Sequence, residues 1–283
     1  MPLTALGGPT GTVVVGDVGT VLFPQILHPN VFAYIDAQAS IGYQMTRTEI
    51  NAINNLVWGL VGTGLWDKLN LIYPFIGSSL NAQKWNLKDV ANYNIVFTGT
   101  AFTTSTANGL QKTTTATTSY GSIPFNVRTL LSNTSYHISC YVGTSQSGGL
   151  VSPFGSYAGV VGQVFRIYTN TTSFGAQFGG ATGVNIFLGT TGTTGYIIGT
   201  RTAINSASAY IAGIPIARNT TTASATTLPN AANIDVGLMT QGFTFVSTQA
   251  IRMATVGSSL TDSDAANLNT LVQAFQTKLG RQV

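Results

Sequence analysis

The chain carries eight carboxylates, two histidines and one cysteine in 283 residues. The acids are Asp17, Asp36, Glu49, Asp67, Asp89, Asp235, Asp262 and Asp264. Acid–base hydrolysis of a glycoside needs two carboxylates flanking one bond. The only close pair, Asp262 and Asp264, follows Thr261 at the head of an apolar-periodic stretch, where helix capping and the helix dipole already account for the charge. Asp89 and Asp235 are left as acids that could act from elsewhere in the chain. Calcium asks for several clustered oxygen ligands and zinc for three or four His, Cys or acidic ligands, and neither pattern stands in the sequence. His137 alternates with Ser139 and Tyr141 on the face opposite Tyr136, Ile138, Cys140 and Val142, so it reads as a hydrogen-bonded surface or interface histidine. A Ser-His-Asp triad through His137 would lack a Gly-x-Ser-x-Gly setting. His28 lies in a Gly/Pro-broken N-terminal stretch. Cys140 reads as a small buried hydrophobe and leaves no partner for an intrachain disulfide. Tyr141, Tyr157 and Tyr168 are aromatics that could stack on sugar rings. The sequence therefore names no catalytic residues, no metal ligands, no cofactor and no specific ligand-binding set.

Scarcity of charge is general. Asp, Glu, Lys and Arg make up 7% of the chain, against about 25% in ordinary soluble domains. Gly, Thr, Ser and Asn replace them, a composition suited to close contact with copies or partners. The net charge of +4 comes from scattered basic residues with no run or stripe, so the counterion-releasing patch that nucleic acid needs is missing. No apolar run is long enough to span a bilayer, and the N-terminus lacks the basic n-region of a secretory signal. With 14 Phe, 11 Tyr and 3 Trp, there is apolar material for a sizeable core.

Four regions follow from periodicity. Residues 1–38 are broken by Gly and Pro around short β-branched runs (Thr12–Val15, Thr20–Phe23), and read as an extended anchoring arm. Residues 39–80 form a helical segment: Thr46 and Glu49 have capping-box spacing, and Ile50, Ile53, Leu56, Val57, Leu60 and Val61 follow at helical steps. After Gly62 and Gly64, the spacing of Leu65, Trp66, Leu69, Ile72 and Tyr73 predicts a second short helix ending at Pro74. Residues 81–257 hold alternating runs between turn residues, the pattern of an antiparallel sandwich or barrel: Tyr93–Phe97, Tyr136–Val142, Val164–Tyr168, Ser173–Phe178, Tyr196–Arg201, Ala209–Ile211, Ile214–Ala217, Asn233–Gly237 and Ile251–Val256. Ala212-Gly213 is a predicted hairpin turn, and the Gly-rich stretches 175–183 and 189–199 read as turns. Residues 258–283 form a C-terminal helix that packs back on the body, with Thr261 as N-cap, an apolar face of Ala265, Leu268, Leu271, Val272, Phe275 and Leu279, and Gly280 as its stop.

Two segments carry a resemblance. One runs from Gly64-Leu65-Trp66-Asp67-Lys68 through Ile72-Tyr73-Pro74-Phe75-Ile76-Gly77 to Lys84-Trp85-Asn86-Leu87-Lys88-Asp89. The other runs from Ala254-Thr255-Val256-Gly257-Ser258-Ser259-Leu260-Thr261-Asp262 to Leu279-Gly280-Arg281-Gln282-Val283. Both resemble a widespread group of bacteriophage virion proteins frequent in phages of Bacteroidetes, over about residues 46–283. The resemblance implies a mainly β fold, an antiparallel concanavalin-like (laminin-G-like) jelly roll between an N-terminal helical segment and a C-terminal helix. It implies a structural role in the virion with no catalytic residues to carry over. The expected function is a tail or fibre appendage that touches the host surface; the alternatives are a capsid-decoration or head-fibre protein, or a carbohydrate-binding module. Expected partners are further copies of the chain in a homo-oligomer, such as a trimer, other virion proteins through the arm, and a host-surface glycan. Two departures stand out. Ala212 occupies a hairpin position where the family usually has Asn, and an acidic run typical after Leu87-Lys88-Asp89 is missing.

Overall fold

The computed structural model describes residues 26–114, 118–132, 134–145, 151–157, 164–169, 174–179, 184–186, 194–203, 205–219, 228, 233–236 and 247–283. Residues 1–25, most of the expected arm, lie outside the described residues. The chain begins with helices α1 (Pro29–Ser40) and α2 (Arg47–Gly62), a 3-10 turn (Trp66–Lys68), strand β1 (Leu69–Tyr73) and a helical turn α3 (Leu80–Gln83). Strands β2 (Val96–Thr98), β3 (Phe102–Ser105), β4 (Gly109–Lys112) and β5 (Tyr120–Ile123) follow, then α4 (Val127–Leu130) and β6 (Tyr136–Val142). Next come β7 (Val151–Tyr157), β8 (Val164–Thr169), β9 (Phe174–Gly179), β10 (Val184–Ile186), β11 (Gly195–Ala203), β12 (Ser206–Ile211) and β13 (Ile214–Asn219). β14 (Ile234–Val236), β15 (Ala250–Gly257) and α5 (Asp262–Lys278) complete the order.

Among the described residues the strands form two antiparallel sheets. The first has the order β13-β12-β11-β6-β15-β4-β3, with β1 also on β15; the second runs β10-β9-β8-β7-β14-β5-β2. β15 pairs with β6 along one side. Its other side is divided: Ala250 and Ile251 face β4, and Ala254–Gly257 face β1. The fold is thus mainly β, a two-sheet jelly-roll sandwich with helices on one side: of the two forms the alternation allows it is the sandwich, and it is the jelly roll that the resemblance implies.

The side chains sort into two layers. Ile138, Cys140, Val142, Leu71, Tyr73 and Val256 meet Phe154, Phe165, Ile167, Phe178, Ile234 and Val236 between the sheets. Tyr141, Tyr196, Ile198, Tyr210 and Met253 point the other way and are covered by Val31 and Tyr34 of α1, Ile53, Leu56, Val57 and Leu60 of α2, and Leu268, Val272 and Phe275 of α5. The centre of the first sheet is therefore buried on both faces: every residue of β6 and β15 is buried.

The helices start where the sequence places their caps. Thr46 and Glu49 close a capping box on α2, and Thr261 and Asp264 close one on α5, so the first free N–H groups of both helices are satisfied locally. α2 and α5 approach closely because Gly59 has no side chain; a Cβ there would collide with Leu271.

Three expectations need correction. The arm predicted over 1–38 gives way to helix α1 from Pro29: His28 caps it through its ring, Pro29 sits where a missing N–H costs nothing, and Val31, Tyr34 and Gln38 supply a buried face. The second helix predicted after Gly64 is a 3-10 turn followed by strand β1. A short run buried on both faces reads the same as a helix segment in sequence, and the ladder to β15 decides it; β1 thereby joins the sandwich across the expected boundary at residue 80. The glycine-rich stretches are partly strand, β9 and the start of β11, because Gly199 lets β9 of the facing sheet approach: a Cβ there would strike Ala176.

Candidate functional site

His137 is not at the surface. It is fully buried on the helix-facing side of β6, because the sequence alternation gives its face but not what covers that face. Its Nδ1 lies 2.6 Å from the Ser258 carbonyl. A carbonyl only accepts, so Nδ1 carries the proton and Nε2 is the acceptor. Thr255 Oγ1 then donates to Nε2 (3.1 Å), Ser139 Oγ donates to Thr255 Oγ1 (2.6 Å), and Tyr196 OH donates to Ser139 Oγ (2.7 Å). Every hydroxyl in this chain is used, and no carboxylate orients the imidazole. Burial lowers the His137 pKa to about 4. This is a neutral structural histidine, and the arrangement has neither the exposed nucleophile nor the acid of a triad.

The C-terminal segment is held by a buried guanidinium. Arg281 Nη1 donates to Phe75 O (3.0 Å) and Thr106 O (2.9 Å), and Nη2 to Pro74 O (2.6 Å) and Arg252 O (2.7 Å). Its Nε donates to Gln276 Oε1 (2.6 Å), and Arg252 Nη1 returns a bond to Arg281 O. Burial and the neighbouring Arg252 charge lower the Arg281 pKa to about 9, so it stays charged at neutral pH. The partners are carbonyl and amide dipoles, not a carboxylate. Tyr141 OH lies here too, accepting from Val283 N (3.0 Å). Lys68 Nζ meets Asp264 at 2.6 Å; against the upward push of burial, Lys68 and the Thr261 cap hold the Asp264 carboxyl below its ordinary range. These residues join the two segments that carry the family resemblance.

The described aromatics proposed for stacking are unavailable. Tyr141 and Tyr168 are fully buried, Tyr141 beside Tyr196 at 6.1 Å. The side chain of Tyr157 lies outside the described residues. Asp235 is buried on β14, opposite Ser122 and Gly155.

Asp89, by contrast, is exposed on the rim of an open cleft of about 430 Å³. The cleft is lined by Asn30 and Ala33 of α1, Leu69 and Asn70 of β1, Lys88, Asp89, Val90 and Tyr93 of the connecting loop, and Phe125 and Leu130 near α4. The loop is stitched from within by asparagines. Asn86 Oδ1 accepts from Ile72 N (3.0 Å) and Lys88 N (3.2 Å); Asn94 Oδ1 accepts from Asn86 N (2.9 Å), and Asn94 Nδ2 donates to Val90 O (2.7 Å). Asp89 is oriented by Ala91 N (3.0 Å) and Asn92 Nδ2 (2.7 Å). Tyr93 sits in the left-handed region at φ 59°, unfavourable for a bulky residue. Tyr73 OH donates to its carbonyl, and its ring packs edge-on against Phe125 at 5.1 Å. Lys88 is turned aside: Nζ donates to Trp66 O (2.6 Å) and lies 4.2 Å over the Trp66 ring. Sequence reasoning reached Asp89 but missed Tyr93, Asn70 and Asn30. The signal available was the density of Asn around Asp89, which marks a loop built on side-chain-to-backbone bonds.

Among the described residues no three His, Cys, Asp or Glu side chains cluster as metal ligands, and no helix is long and apolar enough to cross a membrane.

No family model matches the chain, and no curated protein sequence matches it. Solved structures do. The binding domain of botulinum neurotoxin serotype D is similar with a TM-score of 0.53 at 13% identity, over 74% of this chain and 52% of that one. The binding domain of Paraclostridial Mosquitocidal Protein 1 gives 0.52 at 13%, over 72% and 52%. A mutant sialidase of Trypanosoma rangeli displaying trans-sialidase activity gives 0.50 at 12%, over 80% and 39%. The chain spans about half the length of the toxin domains and less of the sialidase. At these identities the likeness establishes the β-sandwich fold and nothing finer.

Proposed function

We propose that this chain is a structural component of a bacteriophage virion, a tail or fibre appendage whose sandwich contacts the host surface. The observation that carries this reading is where the family-like residues fall. Lys68, Pro74, Phe75 and Asn86 of the first segment engage β15, Asp264 and Arg281 of the second, or each other, in a closed set of hydrogen bonds. Residues shared for such a purpose hold a scaffold together; they do not react. The scarcity of charge and the dispersal of the ionisable groups agree with a building block and weigh against an enzyme. On this reading the segment N-terminal to α1, part of the arm expected over 1–38, anchors the protein to other virion proteins, and the subunit works as a homo-oligomer, a trimer by analogy with fibres. It is made in the host cytoplasm and functions in the virion, without nucleic acid or membrane insertion.

Immunogold labelling of purified particles tests the proposal: label at the tail or fibre is the expected outcome, and unlabelled particles that leave the protein behind on sedimentation would sink it. Label on the head would favour the capsid-decoration alternative. A monomeric mass by light scattering at micromolar concentration would remove the oligomer. The carbohydrate-binding alternative has its own support in the open cleft beside Asp89, which combines an aromatic ring, amides and a carboxylate.

A further inference from the structure

We propose that the cleft between α1, the 84–95 loop and α4 is a binding subsite for a neutral pyranose, with Tyr93 and Leu130 as its apolar wall and Asn30, Asn70 and Asp89 as its hydroxyl partners. The host-surface source of that sugar rests on the attachment reading above; the sugar chemistry does not.

A pyranose ring has apolar C–H faces and a periphery of hydroxyls that both donate and accept. The cleft presents the matching halves. Tyr93, Val90 and Leu130 supply carbon surface to the lining, and Leu130 is 41% exposed. In the same lining, Asn30 and Asn70 can each donate and accept, and Asp89 accepts only. Asn30 Nδ2 is committed to Lys88 O (2.8 Å), which fixes its amide at the cleft wall. Asn70 is the one exposed residue of β1, and it falls at the β1–β15 register shift. The two internal bonds to the Asp89 carboxylate use only part of its lone-pair capacity, so it is both oriented and still receptive. The volume, about 430 Å³, lies within the range of small-molecule sites.

Charge selects the class. Asp89 is the only carboxylate among the lining residues. The sole lining ammonium, Lys88, is committed to the Trp66 carbonyl and ring. An anionic sugar would meet the Asp89 carboxylate while the one lining cation is already engaged by Trp66, whereas a neutral hydroxyl pair would find an acceptor. The site is also preorganised. The Asn86 and Asn94 bonds and the Tyr73–Tyr93 bond hold the loop before any ligand arrives, so little ordering entropy opposes binding. Tyr93 in a left-handed conformation is the kind of local strain that persists where surroundings over-determine it.

The test is saturation-transfer NMR on the full chain. The probes are the methyl glycosides of glucose, mannose, galactose, fucose and N-acetylglucosamine, with sialyllactose as the anionic comparison. At least one neutral glycoside is expected to bind, with sialyllactose silent. Asn70→Trp, which fills the cleft from an exposed position, and Asp89→Ala are each expected to weaken binding at least tenfold. Lys84→Ala, outside the cleft, should leave it unchanged. Tyr93→Ala is read only if its urea midpoint shows it folded; Asn70→Trp carries the test otherwise. Silence from every neutral glycoside, binding of sialyllactose alone, or neutral binding that survives Asn70→Trp would each overturn the proposal. Labelled particles with no sugar binding would sink this inference alone, and sugar binding with unlabelled particles would sink the virion reading alone.

Discussion

Around Arg281 every guanidinium nitrogen is aimed at an oxygen of the chain itself, and the residue is 2% exposed. Around Tyr93 the backbone is bonded just as thoroughly, but Asn70, Asp89 and Leu130 turn outward. Both regions belong to the segments that define the family resemblance or touch them. In the first, polar groups complete one another and exclude solvent, which makes them architecture. In the second, the framework is closed and the tips are open, which is what recognition of a polar ligand requires. The difference lies in whether donors and acceptors are consumed internally, and substitutions in the two regions should fail in opposite ways.

The largest effect is expected at the closed end. Arg281→Leu strips the partner from the carbonyls of Pro74, Phe75, Thr106 and Arg252 at once and should cost about 3–5 kcal/mol in urea unfolding, while any sugar binding by the remaining folded protein survives. A variant as stable as the parent would dissolve the contrast. Next is pH. Burial holds the His137 pKa at about 4 in the fold, against an ordinary 6.5 in the unfolded chain. Between those values only the unfolded chain takes up the proton. Stability should therefore be intact above about 6.5 and fall as pH drops toward 4, by about 3 kcal/mol in all, and His137→Gln should flatten that part of the curve. Thr261→Ala removes the α5 cap and should cost about 1 kcal/mol. Ala212→Gly should raise stability by about 1 kcal/mol: Ala212 has φ 48° and Gly213 φ 76°, a two-residue turn with both angles positive, where a Cβ is a liability. At the open end, Asn70→Ala should change stability by less than about 0.5 kcal/mol and yet abolish glycoside binding.

What the sequence made legible was local. The capping boxes at Thr46/Glu49 and Thr261/Asp264 depend on residues three apart and stand in the structure as predicted. β6 has the bounds its alternation gives, Tyr136–Val142, and the Ala212-Gly213 hairpin joins β12 to β13. What escaped was set by distant partners. β1 is a strand because β15 accepts it, Tyr141 is buried because helices from both parts flanking the strands cover its face, and His137 is enclosed by Thr255 and Ser258. The cleft was invisible for the same reason: the conformation of Tyr93 is enforced by Tyr73, and its walls come from α1, β1 and α4. Period and spacing report which way a side chain points; they are silent on what waits there.

The divided edge of β15 has a consequence for biogenesis. Strands β4 and β6, made well before it, do not pair with each other; β15 slots between them and against β1. As the polypeptide leaves the ribosome, the middle of that sheet stays an open groove with unpaired amides on both banks until residues 250–257 have emerged. Sequence-distant closure of this kind is slow and leaves the intermediate prone to aggregation. Translation through α5 and Arg281 then latches the sheet, because Arg281 ties β15 at Arg252 to the segment that follows β1 at Pro74 and Phe75.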